Sequence, residues 1–343
     1  MNTSNVQIWQ QAAGDTDRNY VVSCLEWNVI LNGPGWAGRF PECSDELLES
    51  GVSKRKITDL RRFSEDMKIG DIVVLRMGTK NVYAVGTIIS DYLYSDLFSD
   101  VDGWDLQHVR RVKWDWSSLD NPKEFETYEM KQGDTTQLLD SIDITNWINT
   151  IPDKNVYIPE LPTEGKLITF SEISDFMFSK GVDLSAINDL ANQIQSLVTL
   201  AKWYQQNGMK PSENETLAYL TVPLLCALGW SPQKMAIEWN NIDIALFESL
   251  PRDNETLITI IEGKRIGSSA LKAVNQALGY SQTRSQCKKI IVTDGVRYSI
   301  YLKQNETFSS IPIAYLNLTE FRESYPIYKC KGAAEALYQM SKK

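Results

Sequence analysis

Residues 237–247 read IEWNNIDIALF, residues 251–256 PRDNET and residues 257–267 LITIIEGKRIG, with KAVNQALGY following at 272–280. Two apolar runs flank a polar turn, so the stretch predicts a pair of strands followed by a helix. Glu262 and Lys264 stand two apart on the second strand and therefore project from one face. Asp243 interrupts the first strand among Ile242, Ile244, Leu246 and Phe247, where an unpaired carboxylate is costly to bury and demands either a cation or open solvent. Two carboxylates converging beside a lysine suit a hard divalent cation such as Mg²⁺, which takes carboxylate oxygens and keeps waters, while the lysine steadies a phosphate or an attacking hydroxide. Taken alone, the same residues also fit an exposed Glu-Lys strand pair next to an exposed Asp.

The surroundings extend the pattern. Asp243, then Glu262, Gly263 and Lys264 after a hairpin, then Gln276 and Tyr280 one helical turn apart, resemble the PD-(D/E)xK nuclease superfamily, in the branch of the type I restriction HsdR N-terminal domain and the type IV restriction nucleases. Upstream, ENETLAYLTVPLLCALGW at 213–230 resembles that branch's first helix, with Glu215 at its acidic position. Downstream, KKIIVTDGVRYSIYL at 288–302 resembles its next strand, a turn and a further strand. One departure is that Asn241 and Ile242, rather than a proline, precede Asp243. The resemblance implies a restriction-endonuclease-like α/β domain with a mixed central sheet, with Mg²⁺ held by Asp243, Glu262 and Glu215. It also implies Lys264 at the phosphate or water, and support from Gln276 and Tyr280.

A chain of 343 residues exceeds what one hydrophobic core usually serves, so more than one domain is expected. No apolar run reaches membrane-spanning length and the N-terminus lacks a basic segment followed by an apolar core, which predicts a cytoplasmic protein with no membrane partner. The five cysteines contain no CxxC pair and His108 is the only histidine, which makes a structural zinc site improbable and leaves Ser-His or Cys-His catalysis one imidazole to use. A formal charge of −9 argues against nonspecific coating of nucleic acid, so phosphate contacts must be local. Lys54, Arg55, Lys56, Arg61 and Arg62, and then Arg110, Arg111 and Lys113, are the candidate patches, with solvated surface as the plainer reading of each.

In the N-terminal part, NYVVSCLEWNVILN at 19–32 reads as a strand and GPGWAGRF at 33–40 as a loop. Residues 53–67 read as a helix with a basic face. MKIGDIVVLRMG at 67–78, VYAVGTIISDYLY at 82–94 and DLQHVRRVKWDW at 105–116 read as strands, and short strands at this spacing suggest a small β-barrel. In that order the three segments resemble the EVE domain, a PUA-like barrel related to the YTH readers. In that family an aromatic pocket accepts a flipped, modified base by stacking and by hydrogen bonds to its polar edge. The resemblance implies Trp36, Tyr92, Tyr94, Trp104 and Trp27 as pocket residues, each otherwise an ordinary packed aromatic, with Trp114 and Trp116 assigned to the core. His108 reads as a satisfied histidine or a base contact.

Between these parts lies PDKNVYIPELPTEG at 152–165, whose prolines mark a connector, and then two helical segments. In the second, Ile187, Leu190, Ile194, Leu197, Ala201 and Tyr204 recur at three and four residues. That seam either packs on the nuclease part or joins two copies of the chain. The expected organisation is therefore an EVE/PUA-like domain over 1–120, a linker and helical bridge over 121–210, and a PD-(D/E)xK domain over 211–343. No G-x-x-x-x-G-K-[ST] motif occurs, so any NTP-driven motion requires a separate NTPase partner. The expected function is a modification-dependent, type IV-like restriction endonuclease acting on double-stranded DNA in anti-phage defence, as a homodimer. The alternative is a non-cleaving sensor or adaptor for modified nucleic acid.

Overall fold

The structure, a computed structural model, describes residues 1–4, 6–15, 18–126, 128–209 and 211–342. It is a mixed α/β protein of two compact units, Met1–Pro162 and Thr163–Lys343. The division falls inside the proline-rich connector. The segment 121–210 forms no unit of its own, because a strand and a helix from its first part complete the first unit, whereas its two long helices build the core of the second.

In the first unit the strands are β1 (Ile8–Ala12), β2 (Val29–Asn32), β3 (Ile72–Met77), β4 (Asn81–Ile88), β5 (Leu93–Tyr94), β6 (His108–Ser117), β7 (Lys123–Glu124) and β8 (Thr136–Leu138). Their order along the sheet is β2-β6-β4-β3-β1-β8, with β5 on β6 and β7 on β4. Only β1 and β3 run parallel, so the sheet is mixed. It curls into a half-barrel. At Gly86 the pairing of β4 with β6 slips by one residue, and a Cβ there would stand 2.4 Å from the carbonyl oxygen of Lys113, so glycine is what admits this bulge.

Edge strands β2 and β8 approach each other through side chains. Gln11 Nε2 donates to the carbonyl of Leu31 (2.8 Å), Asn32 Nδ2 to Thr136 Oγ1 (3.1 Å), and Thr136 Oγ1 to Gln11 Oε1 (2.7 Å). From the helix Lys54–Arg61, Lys56 Nζ donates to Asn32 Oδ1 (2.8 Å) and pairs with Asp59 (2.6 Å), which in turn accepts the amide of Thr136 (2.7 Å). A buried polar network thus closes the gap that a β ladder leaves open.

Segment 19–32 is a strand only over β2; Val21–Glu26 is a helix. Asn19 Oδ1 accepts the amide of Val21, Val21 and Cys24 bury one helical face, and Asn28 reverses the chain at φ 52°. These local bonds override the β-branched composition.

The second unit has β9 (Met235–Trp239), β10 (Ile242–Phe247), β11 (Leu257–Gly263), β12 (Lys289–Thr293), β13 (Arg297–Gln304), β14 (Thr307–Phe308), β15 (Ala314–Asn317), β16 (Ser324–Tyr325) and β17 (Cys330–Lys331). The order is β16-β17-β15-β13-β12-β11-β10-β9, with β14 on β13. The sheet is again mixed, β11 running parallel to β12 and β15 to β17. Helices Phe170–Ser179, Leu184–Gln206, Val222–Ala227 and Ala333–Met340 cover one face, packing on Ile244, Leu246, Ile261, Ile291 and Ile300. Helix Ala273–Ser281, the crossover from β11 to β12, covers the other face over Ala245, Ile260, Ile290 and Val292. The seam from Ile187 to Tyr204 is consumed in the first of these layers. Leu197 is 2 % exposed, so the seam is not available to join two copies.

Candidate functional site

Residues Asn240 and Asn241 turn β9 into β10 with φ of 50° and 68°, a left-handed pair that Asn tolerates and proline cannot adopt. The turn sets the start of β10, and the antiparallel register Ile244↔Ile261 places Asp243 across from Glu262. Gly263 donates its amide to Asp243 Oδ2 at 2.7 Å. Lys264 leaves the strand with its amide bonded to the carbonyl of Thr293 (2.7 Å), and its Nζ reaches the carbonyl of Gly263 and Glu213 Oε2 (3.5 Å). The three residues singled out in the sequence converge at the ends of β10 and β11.

Glu262 is fully buried, and among the described residues its carboxylate oxygens meet no hydrogen-bond partner other than Asp243. Burial, and then the neighbouring Asp243, push its pKa up to about 8 against the opposing pull of Lys264. A carboxyl held this way either keeps its proton or waits for a cation. Glu262 and Asp243 supply the one or two carboxylates with which Mg²⁺ is commonly bound beside water and substrate phosphate, so the pair fits that ion. No group of three or more His, Cys, Asp or Glu side chains able to hold a metal occurs among the described residues.

Glu215 is turned to the helix Leu184–Gln206, where Tyr204 donates its hydroxyl to Glu215 Oε1 (3.3 Å). The acid that meets Lys264 from the first helix is Glu213, which sequence reasoning missed. Glu213 lies one helical turn before Leu217, and Leu217 packs so closely on Gly263 that a Cβ there would stand 2.7 Å from Leu217 Cδ2. The i, i+4 spacing from Glu213 to Leu217 separates the two acids only once Leu217 is known to pack on Gly263. Gln276 and Tyr280 bond each other, Nε2 to hydroxyl at 3.2 Å, and no hydrogen bond or ion pair joins them to Asp243, Glu262 or Lys264.

In the first unit, Tyr92, Tyr94 and His108 act as struts for the loop at 33–40. His108 Nε2 donates to the carbonyl of Pro34 (2.9 Å), which leaves Nδ1 to accept the Tyr92 hydroxyl (2.7 Å), and the Phe40 amide donates to that same hydroxyl (3.1 Å). Tyr94 donates to the carbonyl of Gly35 (2.8 Å). Burial lowers the His108 pKa to about 4 and raises that of Tyr92 to about 12, so both remain neutral near pH 7. Trp36 is 50 % exposed, its amide donating to Asp105 Oδ2 (3.1 Å), and Trp27 is half-buried at the end of its helix.

Trp104 is the expected aromatic that lines a cleft. A cavity of about 550 Å³ is bounded by Tyr20, Trp104, Arg76 and the segment 132–135, and a neighbouring lobe of about 280 Å³ shares Tyr20, Trp104 and Thr135 and adds Asn32 and Lys56. Trp104 meets Tyr20 edge-on at 5.6 Å, and the Arg18 guanidinium lies 4.9 Å from its ring centre. At the rim, Asp134 pairs with both Arg55 and Arg62. The basic helix expected from the sequence thus borders this cleft. The second basic patch does not form: Arg110 is buried, donating to the carbonyls of Phe63, Ser64 and Ser90, and Lys113 pairs with Asp115 (3.0 Å).

Residues 9–139 match a family described as Domain of unknown function (DUF8426). No curated protein matches the chain. The matched span contains every residue that lines the cleft and none of the second unit. Sequence reasoning missed Tyr20 and Arg76, and named Lys56 only as part of a basic patch. Tyr20 and Arg76 stand in runs that read as plain strands, and only the closing of β2 towards β8 brings them to one cleft.

Proposed function

We propose that the chain is a modification-dependent endonuclease. In this reading an EVE/PUA-like first unit selects double-stranded DNA carrying a modified base, and a PD-(D/E)xK second unit hydrolyses the phosphodiester bond, in defence against phage. The observation that carries it is the meeting of Asp243, the fully buried Glu262 and Lys264 at the ends of two paired strands. Such a constellation is expensive for a scaffold and is a donor set that suits metal-assisted phosphodiester hydrolysis. Mg²⁺ held by Asp243 and Glu262 would supply Lewis acidity at the phosphoryl oxygen and a more acidic water.

The chain's own residues do the rest. Gly263 fixes one Asp243 oxygen through its amide and so orients the carboxylate. Lys264, restrained by Glu213 and the Gly263 carbonyl, holds a positive charge where a scissile phosphate would accumulate negative charge. Glu262 would hold such a cation in its deprotonated form, which would couple binding to pH. Tyr20 and Trp104 offer the first unit's aromatic surface for a flipped base. Cutting both strands with one site per chain is most simply achieved by two copies, through a surface other than the 187–204 seam.

The test is incubation of the purified protein and Mg²⁺ with unmodified plasmid and with phage DNA containing modified cytosine or adenine. Cleavage restricted to the modified substrate is expected. Modified-DNA binding without any cutting, across Mg²⁺ and Mn²⁺, would replace this reading with that of a sensor or adaptor.

A further inference from the structure

Arg76 presents a charge that the proposed reading leaves unused. It lies on β3 at the wall of the larger lobe and is 4 % exposed. Its Nη1 donates to the carbonyl of Gly78 (2.7 Å) and its Nη2 to that of Asp134 (3.1 Å), both neutral acceptors, and its Nε has no partner. No carboxylate of the described residues forms an ion pair with it. Asp59 is engaged by Lys56, and the Asp134 carboxylate is shared between Arg55 and Arg62, two guanidinium groups on one acid. Asp15 and Asp105 also line the two lobes, so the charge left over is that of Arg76 itself, whose guanidinium meets only neutral carbonyls. Burial also lowers the Arg76 pKa, as desolvation of a cation does. Asp59 acts on Arg76 without touching it, and a buried guanidinium with no carboxylate in contact is costly unless something anionic visits it.

We propose that this cleft binds a nucleotide through an anionic group, the phosphate or an acid on the base, set in the field of Arg76 with the heterocycle against the Trp104–Tyr20 wall. The inference rests on the base-reader reading and deepens it by fixing the charge of the ligand. A cavity of about 550 Å³ has room for a whole nucleotide. Within it, the aromatic wall and the guanidinium divide the ligand into an apolar ring and a charged end.

The test is titration calorimetry on the full chain in EDTA, so that the metal site takes no part, with 2′-deoxycytidine, 2′-deoxycytidine 5′-monophosphate and 5-carboxy-2′-deoxycytidine. At least one anionic probe is expected to bind about tenfold or more tightly than the neutral nucleoside, as charge-assisted bonds do, with the gain shrinking as salt rises. A gain for the monophosphate alone assigns the charge to the phosphate, and a gain for the carboxy nucleoside alone assigns it to the base. Arg76→Met, checked for folding by circular dichroism, should reduce the favoured probe to the neutral level, and Arg76→Lys should retain part of the gain. Should Arg76→Met not fold, the wild-type series and its salt dependence still decide. Equal binding of all three probes overturns the proposal, as does an anionic preference that survives Arg76→Met in folded protein. If duplexes with modified bases are nevertheless preferred, this proposal alone falls. If no duplex preference exists either, the base-reader reading falls with it.

Discussion

Glu262→Gln removes a carboxyl and leaves an isosteric amide that can donate to Asp243, so it tests the buried acid without opening a cavity. In the wild type the unfolded chain releases this proton near its ordinary 4.5, whereas the folded chain holds it to about 8. Between those values the unfolded state binds fewer protons, so stability falls as pH rises and the loss is complete above the folded value. At about 1.4 kcal/mol per pH unit the shift corresponds to roughly 3–5 kcal/mol, the coupling to Asp243 making the upper figure a ceiling. For a unit of this size that is about 10 °C in melting temperature. Thermal unfolding from pH 4.5 to 8.5 in EDTA should show the wild type losing stability relative to Glu262→Gln, with the variant clearly more stable at pH 8.5. Millimolar Mg²⁺ at pH 8.5 should stabilise the wild type and leave the variant unmoved. Parallel stability curves for the two proteins would refute the reasoning.

Asp243→Asn and Lys264→Ala should each abolish cleavage on an agarose assay while the near-ultraviolet circular dichroism stays native; cutting at the wild-type rate by either would remove that residue from the site. Glu213→Gln should lower the turnover rate more than Glu215→Gln, since it is Glu213 that meets Lys264, and the reverse order in single-turnover kinetics would restore the assignment read from the sequence. Leu197→Lys should unfold the second unit rather than dissociate an oligomer, because burying an ammonium in that core exceeds the 2–5 kcal/mol of a large-to-small change; a folded protein of lower sedimentation coefficient would contradict this. Trp104→Ala should weaken binding to modified DNA about tenfold or more at unchanged melting temperature, whereas Tyr92→Phe should lower the melting temperature first, as measured by fluorescence binding and calorimetry.

The strands of both sheets were legible wherever apolar runs met a turn signal, as at PRDNET and at the Gly70-Asp71 turn before β3. The pairing of Asp243 with Glu262 followed from hairpin register, which is local, whereas Lys264, expected on the same strand as Glu262, lies beyond the end of β11. Two kinds of information were not local. The helix Val21–Glu26 depends on an Asn19 side-chain bond and a left-handed Asn28, against a β-branched composition that points to a strand. The choice between Glu213 and Glu215 depends on which side of one helix meets Gly263, and two acids two positions apart look equivalent until that packing is known. The aromatic pocket was the least legible part. Tyr92 and Tyr94 carry the right chemistry, but their hydroxyls are spent on His108, Gly35 and Phe40, while Tyr20 and Arg76 reach the cleft only because the sheet curls.

What the fold itself requires separates the two candidate regions from their scaffolds. On β11, Ile260 and Ile261 show what the sheet interior accepts, and a valine at position 262 would pack there without a desolvation penalty. Glu262 instead carries a fully buried carboxyl whose neighbour is a second carboxyl, at a cost of several kilocalories per mole. The network of Gln11, Asn32, Lys56, Asp59 and Thr136 shows that the same chain satisfies buried polar groups where they serve structure. Against that closed network, two acids and a lysine left together at Glu262 are the groups that the cation and phosphate of the proposed reaction would meet.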